Sequence, residues 1–130
     1  MRKLAFLLAG AAALIAGPAL QARDHPSGEQ KLARLLDGRV AGRPVSCLSQ
    51  FDTQDMQVID HTALVYRVGK TLYVNRPSNA DQLNSDDILV TELHTGQLCR
   101  LDIGKLHDRS TGMFTGFVGF EDFVPYRRAG

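Results

Sequence analysis

Asp60 beside His61, between two strand-like runs, is the pair of residues best placed for acid–base chemistry. A carboxylate next to an imidazole can orient the ring for proton transfer. No nucleophile motif accompanies them. Ser46 and Ser49 merely bracket Cys47, and Ser110-Thr111-Gly112 lies outside any G-x-S-x-G elbow. Adjacent residues of a strand point opposite ways, and in a turn Asp is favoured for its bonds to the backbone. Asp60-His61 therefore reads first as a turn and second as the seat of a hydrolase-type enzyme. His25, His94 and His107 stand at long, irregular intervals without the HxH or HExxH spacing that sets two imidazoles on one face. Asp86-Asp87 lacks the surroundings of an EF-hand, and no phosphate-cradling or dinucleotide fingerprint occurs. The sequence names no cofactor and no metal.

Cys47 and Cys99 are the two cysteines of the chain. Their separation excludes a CxxC redox motif, and no second metal ligand stands beside either, so they read as a structural pair. A loop of about fifty residues closed by a disulfide removes about 4 kcal/mol of unfolded-state entropy. Such pairing implies an oxidising compartment. The N-terminus gives the same address. Arg2-Lys3, an uncharged apolar run from Leu4 to Ile15, the Gly17-Pro18 break and Ala19-Leu20-Gln21-Ala22 follow the layout of a secretory signal peptide. Cleavage is expected after Ala22 or after Ala19, with 1–22 as the signal and 23–130 as one small domain. The apolar run is too short to span about 30 Å of hydrocarbon, so stable membrane insertion is not expected. The chain is assigned to the periplasm or the exterior.

Beyond residue 22, thirteen basic residues face fourteen acidic ones, a net charge of −1 with both signs interspersed. That balance carries no electrostatic footprint for nucleic acid. Arg127-Arg128 is the sole basic cluster and reads as a solvated tail.

The elements that must position these residues are mostly strands. Ser27 with Gln30 three residues on forms a capping box, and Leu32, Leu35 and Leu36 make one apolar stripe, so a short helix is expected between Ser27 and Gly38. Val45–Leu48 and Met56–Ile59 read as short strands. Ala63–Val68 and Thr71–Asn75 flank Gly69-Lys70 and read as a hairpin with a II′ turn, Tyr66 opposite Tyr73 and Val65 opposite Val74. After a polar loop from Arg76 to Asp87, Ile88–Thr91 and Leu98–Leu101 are expected to pair, which would send the disulfide to the far end of the sheet. Ile103–His107 reads as a helical turn or short extension, and Phe114–Tyr126 as a closing strand whose phenylalanines complete the core. The fold class is mainly β, with α+β as the alternative: a single small antiparallel sheet, sandwich or open barrel, with one short N-terminal helix. Tyr66 and Tyr73 share a face that is either core under the helix or a platform for a ligand.

The order Pro44-Val45-x-Cys47, Val58-Ile59-Asp60-x-Thr62-x-Leu64-Val65, Leu72-Tyr73-Val74-Asn75-Arg76-Pro77, Asp87-Ile88-Leu89, Gln97-Leu98-Cys99-x-x-Asp102 and Gly116-Phe117 through Phe123-Val124-Pro125-Tyr126 resembles a family of small exported proteobacterial proteins, a domain of unknown function, its sphingomonad members above all. The resemblance spans 39–126. Members of that family often carry a further cysteine pair; here Asn79–Leu83 and Phe117–Phe120 contain no cysteine. The resemblance implies an exported β-rich domain and assigns no activity. The combined reading is a non-catalytic binding or envelope-associated module, its partner an envelope protein or a small ligand, with the hydrolase using Asp60 and His61 as the alternative.

Overall fold

The computed structural model describes residues 25–130; the expected signal peptide, 1–22, lies outside them. The chain is mainly β: the described residues form one α-helix and ten strands distributed over three open antiparallel sheets instead of a single one. Helix α1 (Gly28–Leu35) begins where its capping box directs. Ser27 Oγ accepts the Gln30 backbone N–H at 3.1 Å, and Gln30 Oε1 accepts the Ser27 N–H at 2.8 Å. Two of the N–H groups that a helix start leaves without intrahelical partners are thereby bonded.

The largest sheet has the order β1 (Arg39–Ala41), β10 (Phe123–Arg128), β5 (Thr71–Asn75), β4 (Ala63–Val68), β3 (Met56–Ile59). The β4–β5 hairpin closes through Gly69-Lys70, with Val68 opposite Thr71. Gly69 takes φ +60° whereas Lys70 is not among the positive-φ residues, the II′ combination. Tyr66 pairs with Tyr73 and Val65 with Val74, as the alternation requires. β1 has no counterpart in the sequence reading; it adds to the outer edge of β10, with Arg39 opposite Arg128.

Both faces of this sheet are covered. On one, Leu32 of α1, flanked by Leu35 and Leu36, packs on Ile59, Ala63, Val65, Leu72 and Val74. On the other lies the larger core, where Leu64, Tyr66 and Phe123 meet Leu83, Leu106, Val118 and Phe120. The helix thus covers the valine face, and the tyrosine face is covered by the rest of the chain. Full burial of a large apolar side chain stabilises by about 1.5–3 kcal/mol, so the two faces together supply most of the favourable free energy.

The second sheet runs β6 (Asp87–Thr91), β8 (Ile103–Asp108), β9 (Phe114–Gly119). Here the structure corrects three expectations. The partner of β6 is β8, not the Leu98 segment; Ile103–Asp108 is a strand in the middle of the sheet, not a helical turn; and the phenylalanines divide between core and surface. Phe120 and Phe123 are buried, while Phe114 and Phe117 are 51% and 50% exposed on the outer face. β8 alternates exposed and buried positions from Ile103 to Leu106, and Gly104 fills the first inward one. A Cβ there would meet Leu89 Cδ1 at 2.6 Å, so glycine occupies an inward position that a larger residue could not.

A two-stranded ribbon, β2 (Cys47–Ser49) with β7 (Gln97–Cys99), completes the fold and presents buried Leu48 and Leu98 to the larger core. Cys47 and Cys99 are register partners, their Cα atoms 4.0 Å apart, and form the disulfide. The bond therefore staples adjacent strands of the ribbon, not the first strand to a remote edge. The polar 76–86 stretch is a structured crossing. Asn79 donates to the Phe117 carbonyl and accepts the Gly119 N–H, and Leu83 is fully buried.

Candidate functional site: a cationic cleft at the hairpin end

The Asp60-His61 pair occupies the β3–β4 turn, with His61 at φ +58°. Asp60 Oδ1 accepts the Ser85 backbone N–H at 2.6 Å, and His61 Nδ1 lies 2.7 Å from the Asp81 carbonyl oxygen. The two side chains go to different partners, and each ties the 76–86 crossing to the turn. Asp60, together with Lys31, Arg34 and Ser85, lines a groove of about 430 Å³ beside α1, whereas His61 is not part of its lining. Among the described residues no three His, Cys, Asp or Glu side chains gather in a way that could hold a metal ion. No helix among them is long and apolar enough to cross a membrane.

Tyr66 is 2% exposed and packs edge-on against Phe123, ring centroids 5.8 Å apart; Tyr73 is half-buried against the same core. Burial pushes the Tyr66 hydroxyl well above its ordinary pKa. The face that could have served as a platform for a ligand is filled by protein.

Chemistry gathers elsewhere. At the end of the large sheet that carries the Gly69-Lys70 turn, a cleft of about 560 Å³ is lined by Arg39, Arg67, Gly69, Lys70, Thr71, Arg127 and Arg128. Five of these residues are cationic and none is acidic. They come from four elements: Arg39 from β1, Arg127 and Arg128 from β10, Arg67 from β4, and Lys70 from the turn. Register explains the convergence. Arg39 is opposite Arg128, Tyr126 opposite Leu72, and Leu72 opposite Arg67. Because strand side chains alternate with period two, Arg39, Arg128 and Arg67 share the face that carries Leu72 and Tyr126. This is the face α1 covers farther along, and the helix leaves the cationic end open.

Arg39 is fixed in place by the backbone. Its Nη1 donates to the Lys70 carbonyl at 2.8 Å and to the Tyr126 carbonyl at 3.2 Å, joining β1 to the hairpin turn. Loss of hydration, followed by repulsion from Arg128 and Arg67, holds its guanidinium below the ordinary arginine range. The ion pairs among the described residues engage Arg76, Arg100 and Lys105, none of them in the cleft. Arg39, Arg67 and Arg128 thus share one face, with Lys70 on the adjoining turn and without acidic partners, on a chain of near-neutral charge; Arg127, also in the lining, alternates to the other face of β10. A concentration of one sign within low-dielectric walls raises the local concentration of the opposite sign.

Arg127 and Arg128, expected as a solvated tail, are therefore strand residues with neighbours. Arg39, Arg67 and Lys70 carry no signal in the sequence, because the first two are 28 positions apart and Lys70 is 57 positions from Arg127; only the sheet order brings them together. No family model matches the chain, and neither the curated proteins nor the solved structures yield a match.

Proposed function

We propose that this chain is an exported, non-catalytic binding domain of the bacterial envelope that captures anionic ligands in the cleft between β1, β10 and the β4–β5 turn. The observation that carries this reading is the convergence of Arg39, Arg67, Lys70, Arg127 and Arg128 in one cavity with no acidic residue in its lining. Arginine favours such work because its planar fork of donors matches carboxylate and phosphate oxygens two at a time. Placement in the periplasm or exterior draws support from the Arg2-Lys3 and Leu4–Ile15 pattern, from the disulfide, and from the resemblance to exported domains of unknown function. The division of Asp60 and His61 between separate backbone partners weighs against the hydrolase.

Retention on an anionic matrix tests the proposal. Purified protein should bind phosphocellulose at low salt despite its near-neutral charge and elute with added salt, while the Arg67→Gln/Arg128→Gln double variant should elute at distinctly lower salt. Equal elution of the two proteins would exclude the cleft as the binding surface.

A further inference from the structure

We infer that the open edge of β3 takes up an extended peptide segment of a partner protein as an added strand, one whose side chains alternate between acidic and apolar. This site is separate from the cationic cleft and does not depend on it.

β3 ends the large sheet, and only its β4 side is paired. The Arg67 N–H donates to the Asp55 carbonyl at 2.9 Å, which fixes the phase of the ladder between the two strands. In an antiparallel pair, residues that exchange backbone bonds alternate with residues that do not. Gln57 and Ile59 therefore turn their backbone groups toward β4, whereas Met56 and Val58 turn theirs outward. Outside that ladder, neither the N–H nor the C=O of Met56 or Val58 has a hydrogen-bonding partner among the described residues. Such groups are a template for a further strand, and proteins ordinarily blunt them with Lys, Pro or a bulge. β3, Met56-Gln57-Val58-Ile59, has none of these.

Space lies on both sides of this edge. The groove of about 430 Å³ beside α1 follows Gln57, Val58 and Ile59 on the face that Leu32 packs against. A second groove, of about 490 Å³, includes Met56, Val58 and Leu89, which pack against the larger core on the opposite face. Gln57, Val58 and Ser85 belong to both linings, so the two grooves meet along β3. Successive side chains of a strand added there point to one face and then the other, and each face has a groove to receive them.

The two linings differ in charge. Beside α1, Lys31 and Arg34 are exposed and form no ion pair among the described residues, while the Asp60 carboxylate is bonded to the Ser85 N–H. In the second groove the charged groups are already engaged. Asp87 Oδ2 accepts the Thr115 hydroxyl at 3.0 Å, and Arg109 Nη2 donates to the Asp87 carbonyl at 3.3 Å. Met56, Val58, Ile88 and Leu89 leave the rest of that lining apolar. A strand with acidic side chains toward Lys31 and Arg34 and apolar ones toward Met56 and Leu89 complements both grooves.

Hydrogen exchange read by NMR on the purified protein tests the docking, with a blocked hexapeptide of alternating glutamate and valine as the probe and its lysine–valine counterpart as the control. The acidic peptide should protect the Met56 and Val58 amides, which exchange fast in the free protein, and leave those of Gln57 and Ile59 unchanged. It should bind at least about threefold more tightly than the basic peptide, since each exposed ion pair contributes little. The Lys31→Glu/Arg34→Glu variant should reverse that order. Val58→Pro removes an outward N–H at an edge, where proline is tolerated, and should abolish binding while the fold persists. If that variant unfolds, the charge reversal, confined to exposed helix positions, decides alone. Protection should survive in the Arg67→Gln/Arg128→Gln variant; its loss there would place the peptide in the cationic cleft and overturn the inference. Protection of Met56 and Val58 that rises with protein concentration without peptide would give the edge to a second copy, and absence of protection with either peptide would leave it without a strand; each result overturns the inference.

Discussion

Arg39 and Arg128 stand directly opposite one another on β1 and β10, two like charges where a sheet ordinarily places an attractive pair. Like charges at facing positions destabilise a sheet by an amount comparable to what a favourable pair contributes, about 0.2–1 kcal/mol. In the absence of an anion, Arg128→Gln should therefore raise stability at low ionic strength. Urea denaturation at low ionic strength measures the gain, and repeating it in about 1 M salt, where screening acts over about 3 Å, should shrink it. An unchanged or lowered midpoint at low salt would mean that the pair is not repulsive.

The disulfide is the second lever. Replacing Cys47 and Cys99 together by Ser should cost about 2–5 kcal/mol, because the loop between them covers 52 positions of sequence. Chemical denaturation of the oxidised protein and of the double variant gives the difference directly. Thiol labelling of unreduced, denatured wild type should find no free cysteine.

Gly69→Val tests the turn in isolation from packing. Nothing lies within 4 Å of the Cβ it would introduce, so any loss comes from the backbone alone. At φ +60° a β-branched residue is strained, and a loss of about 1 kcal/mol or more is expected in thermal or urea unfolding. Gly69→Asn should recover much of it, since asparagine tolerates the left-handed region.

Tyr66 links the core to pH. Its hydroxyl is held protonated by burial in the fold, with a pKa raised above the value of about 10 that it recovers when unfolded. The unfolded chain therefore loses this proton first as pH rises, so stability is whole below pH about 10 and declines above it. Tyr66→Phe should flatten that alkaline decline in a series of urea titrations. Tyr66→Ala should cost about 3–5 kcal/mol, as removal of a buried aromatic does. A folded, thermally unchanged Tyr66→Ala would contradict the packing against Phe123.

What the sequence made legible was decided over short distances. The Ser27/Gln30 box, the ends of β3 and the Gly69-Lys70 turn depend on residues a few positions apart, and the structure has them where the pattern put them. Pairings between distant segments left no such trace. The sequence matches β7 to β6 because the two are neighbours with a glycine turn between them, yet β7 pairs with β2 and β6 with β8. β8 alternates in burial but not in residue type, since its first inward position is Gly104 while apolar Ile103 faces out, so no strand pattern shows in its sequence. The cleft was hidden for the same reason. Its cations sit in separate segments, and the pairing of β1 with β10 that collects them joins residues 85 to 89 positions apart, as Arg39 with Arg128.

That pairing also governs when the cleft comes into being. β10 is inserted between β1 and β5, so both of its neighbours precede it by many tens of residues. Sheets built from such distant partners fold slowly, on the order of milliseconds to seconds, because long loops must close before the contacts that reward them can form. The hairpin, the helix start and the β8–β9 pair can form early from local contacts. The row of arginines cannot, since Arg39 and Arg128 meet only when the sheet closes. The cationic cleft is therefore assembled only when β10 docks between β1 and β5, however early the local elements form.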